Sequence, residues 1–210
     1  MSLGAEELAR LVAGDIPAGA YVNLGIGRPT AIARFLEPER GVVLHTENGM
    51  LGMGDVVPAE EADQDLTNAG KQPVSELPGA AYFHHADSFA MMRGGHLDVC
   101  VMGAFQVSAA GDLANWHTGA PDAIPAVGGA MDLAVGAKEV WVMMTLFTKT
   151  GEPKLVPKCT YPLTGRACVT RVYTELATFH LGRSGVRVAA THGITTADLA
   201  TRLAVPLSEA

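Results

Sequence analysis

Apolar positions along the first forty residues switch from a helical to a strand period. Leu8, Leu11, Val12 and Ile16 fall at helical spacing over residues 5–16, and Gly14 and Pro17 mark the end of that predicted helix. Residues 20–24 then read as a strand that runs into Gly25-Ile26-Gly27-Arg28-Pro29-Thr30. Pro29 suits the first turn of a following helix carrying Ile32, Ala33 and Leu36. Strand, glycine loop and helix start together predict an anion-binding element, because free backbone amides and the helix dipole would face the loop.

The next apolar run, Val42-Val43-Leu44, passes through His45-Thr46 into Glu47-Asn48-Gly49-Met50-Leu51-Gly52-Met53-Gly54. A strand that breaks into a polar and glycine-rich turn is how an open α/β sheet presents a reactive side chain at a strand's carboxyl edge. Here that side chain is Glu47. The alternative is a solvated glutamate beside an ordinary Asn-Gly turn.

Beyond Gly54 the chain is acidic and expected to be exposed, through Glu60, Glu61, Asp63 and Asp65. Lys71 follows Gly70 and is either a point charge for a phosphate or an ordinary surface lysine. His84 and His85, read as part of a strand that begins at Tyr82, would point to opposite faces and could not share one ion. No H-x-x-H or H-E-x-x-H spacing occurs, so no metal site is expected. Residues 97–105 form a buried-strand run with Cys100 as core. Gly111 to Trp116 reads as a turn feeding a strand. A second glycine element, residues 125–132, leads into a short helix, and its amides are candidates to face a developing oxyanion. Strands are expected at 140–146, 167–172, 177–181 and 186–190, a hairpin turn at 150–153, and a last helix at 196–203 with Leu199 and Leu203 on one face. With no internal repeat and no linker, the chain reads as a single α/β domain over 1–210 whose glycine loops could converge on Glu47.

Composition narrows the chemistry. Of 210 residues, 48% are hydrophobic and only 18% charged, enough to bury a large core without staples. The net charge of −7 argues against nucleic acid or an anionic membrane as partner. A polyanionic ligand must therefore be met by local amides and single cations. Cys100, Cys159 and Cys168 lack metal spacing and fit a reduced compartment. No signal-like leader or membrane-length apolar run is visible, so a cytoplasmic protein is expected. The Gly25/Gly27 loop lacks the third glycine of a dinucleotide fingerprint, and the next strand ends at Glu47 in a turn, not at a ribose-binding acid.

A series of stretches in order, VNLGIG at 22–27 with PT at 29–30, ENGMLGMG at 47–54, NAGK at 68–71, ADSFAMMRGGHLD at 86–98, GDLANW at 111–116, VGGAMDLA at 127–134 and CTYPLTG at 159–165, resembles the B (β) subunits of the family I 3-oxoacid CoA-transferases over nearly the whole chain. Through FHHADSF at 83–89, AFQVS at 104–108, NWHTGA at 115–120 and IPAVGGAMD at 124–132 it is more similar to the 3-oxoadipate-directed members than to the acetoacetate-directed ones. The resemblance implies an open α/β sandwich of the CoA-transferase type, with Glu47 as the nucleophile that forms a glutamyl-CoA thioester. It implies an A (α) subunit completing a heteromer, expected as a heterotetramer, with succinyl-CoA and a 3-oxoacid as substrates and no separate cofactor. Asn48, Gly49, Gly128 and Gly129 are candidates for oxyanion and CoA binding. Gly25, Gly27 and Arg28 are candidates for the substrate loop, and Lys71 for CoA. Two positions depart from the family pattern: Ala126 stands where a glycine is usual, and Arg28 where an uncharged residue is usual.

Arg28 is either a hold for the distal carboxylate of a dicarboxylic acyl group or the partner of a neighbouring acid on the surface, and His84 and His85 are read as structural or as lining for the acyl pocket. The competing readings are the same chemistry on acetoacetate and a non-catalytic acyl-CoA-binding module.

Overall fold

The computed structural model describes every residue except Pro121, Ala123, Ala126 and Ala210, and all side chains of the described residues but that of Ala59. The departure at Ala126 therefore lies outside the described residues.

The chain begins with helix α1 (Ala5–Asp15), where the Glu7 carboxylate accepts the Gly4 N–H at 2.6 Å. Leu8, Ala9, Val12 and Ala13 form its buried stripe. Strand β1 (Tyr21–Leu24) follows, then β2 (Val43–Thr46), β3 (Met50–Val56) and β4 (Val74–Tyr82). Helix α2 (His85–Arg93) leads to β5 (Val99–Met102), β6 (Gln106–Ser108) and β7 (Leu113–Ala114). Helix α3 (Ala130–Gly136) precedes β8 (Glu139–Met143), β9 (Leu155–Val156), β10 (Val169–Tyr173), β11 (Ala177–Gly182) and β12 (Gly185–Thr191). Helix α4 (Thr196–Arg202) and β13 (Leu207–Glu209) close the chain.

Ten strands make one mixed sheet in the order β13-β12-β11-β10-β8-β5-β1-β2-β3-β4, and β7-β6-β9 form a small second sheet. The centre, β10-β8-β5-β1-β2, is parallel throughout. Antiparallel pairings flank it on both sides. From β1 the chain goes to β2 on one side and later returns to β5 on the other, which makes β1 the point where the winding reverses.

Side chains alternate across this sheet. Val22, Leu44, Val99, Val101, Trp141, Met143 and Tyr173 pack on one face under α1 and Ile32. Cys100, Met102, Val140, Val142 and Val172 pack on the other, with Met92 of α2, Leu133 and Ala134 of α3, Leu199 near the end of the chain, and Val107, Leu113 and Leu155 of the small sheet. Both faces are covered, as a parallel sheet requires.

The helix expected after Gly27 is present over residues 28–35, as a 3-10 helix. Gly27 enters at φ +97°, Pro29 supplies no N–H, and the Thr30 amide and hydroxyl both turn back to the Gly27 carbonyl at 3.2 and 2.6 Å. These contacts set i to i+3 closure before an α-helical turn can form. His84 and His85 are not on a strand: β4 ends at Tyr82, His84 caps α2 by accepting the Ala86 N–H at 3.1 Å, and His85 is the first helical residue.

Candidate active site

The carboxyl ends of β2, β1, β5 and β8 open on one side of the sheet. With the loops that follow them, they line a cleft of about 470 Å³. A crevice at the carboxyl ends of parallel strands, where the winding reverses, is where open α/β sheets bind ligands. Its walls include Asn23 of β1 with Gly25 and Arg28 after it, Thr46 at the end of β2 with Glu47 after it, Gly103 after β5, and Thr145 after β8. Asn68, Gly70, Gly128, Gly129 and Lys154 complete the rim relevant to the chemistry.

Glu47 is the first residue of a tight loop joining β2 to the antiparallel β3, with Thr46 opposite Met50. The Gly49 and Met50 amides donate to the Thr46 carbonyl and Thr46 Oγ1, each at 3.1 Å. Gly49 has φ +118°, and a Cβ there would collide with the Phe83 carbonyl. Only glycine serves at that position. The loop projects the half-buried Glu47 side chain into the cleft.

Across from it, Gly129 precedes α3 and presents its bare Cα to the carboxylate. A Cβ on Gly129 would stand 2.5 Å from Glu47 Oε2 and 3.1 Å from the Phe89 ring. The glycine-bearing loops around Gly25 and Gly128-Gly129 thus line the same cleft as Glu47, and Gly129 is the glycine that faces its carboxylate.

Beneath Glu47 lies a chain of buried polar groups. Asn23, His45 and Ser88 are 4%, 2% and 0% exposed, yet each is hydrogen-bonded. Asn23 Nδ2 lies 3.1 Å from the His45 carbonyl and 3.2 Å from His45 Nδ1, and His45 Nε2 lies 2.9 Å from Ser88 Oγ. Ser88 Oγ in turn donates to the Thr46 carbonyl at 3.2 Å. Burial lowers the His45 pKa from 6.5 to about 4, so the ring is neutral at neutral pH.

Two cations border the same cleft. Arg28 is exposed and Lys154 partly buried, and among the described residues neither forms an ion pair. Burial, and then the neighbouring Arg28 charge, lower the Lys154 pKa, with Glu175 opposing.

The remaining predicted site residues sit elsewhere. Asn48 is exposed and its side chain donates to the Thr67 carbonyl at 2.8 Å. Gly49 and Gly27 shape the loops without lining the cleft. Lys71 is exposed, at φ +62°, and outside the lining although Gly70 belongs to it. His84 and His85 do not line the cleft of this chain: His84 is used as a helix cap, and His85 packs edge-on against Phe89 at 4.8 Å. Among the described residues no group of three His, Cys, Asp or Glu side chains could hold a metal ion, and no helix is long and apolar enough to cross a membrane.

His45, Ser88, Phe89 and Lys154 were not anticipated. Strand alternation could have flagged His45 as the inward neighbour of Leu44, and helical phase could have paired Ser88 with buried Met92. Lys154 reaches the cleft only through tertiary folding.

Known proteins resemble this chain in sequence and in fold. The sequence model of the coenzyme A transferase family matches residues 5–195. The chain is 63% identical over 186 residues to the B subunit of 3-oxoadipate CoA-transferase from Pseudomonas putida, covering 89% of this chain and 87% of that protein. It is 43% identical to the B subunit of succinyl-CoA:3-ketoacid coenzyme A transferase from Helicobacter pylori, covering 87% of each. Among solved structures, an acyl-CoA transferase from Escherichia coli O157:H7 superposes with a TM-score of 0.77 at 18% identity, covering 100% of this chain and 43% of that one.

Proposed function

Because this chain belongs to the coenzyme A transferase family, we propose that it is the catalytic B subunit of an enzyme moving CoA from succinyl-CoA to 3-oxoadipate through a thioester on Glu47. The observation that carries this reading is the Glu47 carboxylate, held in the cleft at the end of β2 with Gly129 against its oxygen.

The chemistry follows from what a carboxylate can do. Glu47 attacks the thioester carbonyl of succinyl-CoA, and the tetrahedral intermediate collapses with loss of CoA thiolate to a succinyl-glutamyl anhydride. The thiolate then attacks the glutamyl carbonyl and expels succinate, leaving the Glu47-CoA thioester. The acceptor carboxylate attacks that thioester and the steps run in reverse. One thioester and one carboxylate exist on each side, so the exchange is nearly thermoneutral, and the CoA thioester is a substrate in it. Each tetrahedral species carries an oxyanion. The Gly128 and Gly129 amides are the proposed donors, and loss of one such donor typically costs about 3 kcal/mol.

Both acyl groups in this reading carry a second carboxylate. Arg28 and Lys154 are the cations on the cleft wall suited to hold it, and the identity to the 3-oxoadipate relative favours that acid over acetoacetate. Both of those relatives are named as B subunits. We accordingly assign this chain a cytoplasmic A subunit as partner, in a heterotetramer that closes the open cleft.

The test is isotope exchange. The assembled enzyme with succinyl-CoA and labelled succinate, without acceptor acid, is expected to move label into succinyl-CoA at a rate comparable to turnover. Absence of exchange in an enzyme that completes the full reaction would exclude a covalent intermediate.

A further inference from the structure

The hydrogen bonds beneath Glu47 have only one possible direction. The His45 carbonyl can only accept, so the Asn23 atom beside it is the NH2 group, and that same group faces His45 Nδ1. Nδ1 must then be the acceptor, which leaves the single proton of the neutral ring on Nε2. That proton points to Ser88 Oγ at 2.9 Å. The Ser88 hydroxyl, accepting from His45, donates its own hydrogen to the Thr46 carbonyl. At the other end the Asn23 amide oxygen faces the Cys100 thiol at 4.0 Å. The chain therefore runs from Cys100 through Asn23, His45 and Ser88 to the peptide that joins Thr46 to Glu47.

Helix α2 also reaches the opposite wall. Phe89, next to Ser88, is the ring against which Gly129 rests, and Gly129 rests against Glu47 Oε2. A closed circuit results: Glu47, Gly129, Phe89, Ser88 and the Thr46 carbonyl. One helix thus touches both the turn that carries the carboxylate and the loop that faces it.

We propose that His45 and Ser88 are positioning residues for Glu47: the neutral His45 ring orients the Ser88 hydroxyl onto the Thr46 carbonyl, and this bond fixes the carboxylate relative to the Gly129 loop. His45 acts through Ser88, since both ring nitrogens are occupied by protein partners. A polar row in an otherwise apolar core is costly unless every member is bonded, and here every member is. Removing one link frees the turn to shift, and a misplacement near 1 Å can cost on the order of 100-fold in rate. The proposal rests on Glu47 being the nucleophile.

Three variants assembled with the partner chain test it, alongside Glu47→Gln. Ser88→Ala deletes the bond to Thr46, His45→Leu deletes both ring bonds, and His45→Gln supplies one acceptor and one donor as the neutral ring does. For Ser88→Ala and His45→Leu, kcat and the single-turnover rate of enzyme-CoA formation are expected to fall by roughly 10- to 100-fold. For Ser88→Ala, KM for succinyl-CoA and the Kd for CoA should stay within about twofold, because Ser88 lies outside the cleft lining, whereas His45 belongs to it. His45→Gln should recover most of the rate. Should His45→Leu fail to assemble, Ser88→Ala decides alone. Wild-type kcat in Ser88→Ala, or equal losses in His45→Leu and His45→Gln, would overturn the proposal. An active Glu47→Gln enzyme would instead overturn the assignment of the nucleophile, so the two failures are distinguishable.

Discussion

Glu47 Oε2 and the Cα of Gly129 are close enough that a single methyl group between them would stand 2.5 Å from the oxygen. Gly129 itself has φ −84° and ψ 8°, a conformation open to any residue. Its lack of a side chain therefore serves the space in front of Glu47, not the backbone. Gly129→Ala is expected to leave the melting temperature nearly unchanged and to lower kcat by about 100-fold or more, since the carboxylate must move from its attacking position. Gly49→Ala provides the contrast. At φ +118° and against the Phe83 carbonyl, it should lower stability by more than the roughly 1–2 kcal/mol of a left-handed residue, with a clear drop in melting temperature. Thermal melts and kinetics on both variants read the difference.

The two cations on the cleft wall predict substrate discrimination. In a ping-pong reaction, kcat/KM for each substrate reports only its own half-reaction. Arg28→Met and Lys154→Met should lower kcat/KM for succinyl-CoA and for 3-oxoadipate by roughly 10- to 100-fold each, the scale of one lost charge-assisted contact. The value for acetoacetate, which has no second carboxylate, should change by less than about threefold. Equal losses for 3-oxoadipate and acetoacetate would remove these residues from acyl recognition.

What could be read from the chain followed periodicity and punctuation. Helices α1 and α4, the parallel strands β1, β2, β5 and β8, and the antiparallel β11 and β12 all have regular apolar spacing, and their places matched the expected ones within a few residues. Glu47 stood out because a lone carboxylate ended a strand among glycines. Strand β4 was missed because Pro78 and Gly79 interrupt it and its surface is mostly exposed, as suits a sheet edge. The helix at 28–35 stands where it is expected, but its 3-10 closure follows from the hydrogen bonds at Thr30, which periodicity does not register. His45 and Ser88 are 43 residues apart, and their contact exists only once α2 crosses the end of β2.

Acid should reveal the buried ring. The folded-state pKa of His45 lies near 4, below its ordinary 6.5, so between these values the unfolded chain binds a proton that the folded one refuses. Stability is full above about pH 6.5 and falls as the pH drops toward 4, by about 3 kcal/mol at most. His180 and His192 are lowered by burial in the same direction, but both are substantially solvated and should contribute less. Denaturant unfolding of wild type and His45→Gln across about pH 7 to 4.5 isolates the buried ring. The wild type should lose stability more steeply, and parallel curves would contradict the assignment of a neutral, buried His45.

The central claim is that Glu47 carries CoA. Intact mass spectrometry of this chain, assembled with its partner, mixed with succinyl-CoA and trapped with borohydride or hydroxylamine, tests it most directly. A modification that maps to Glu47 and is missing in Glu47→Gln is the predicted result. Bound CoA with no adduct, or an adduct on another side chain, would contradict it.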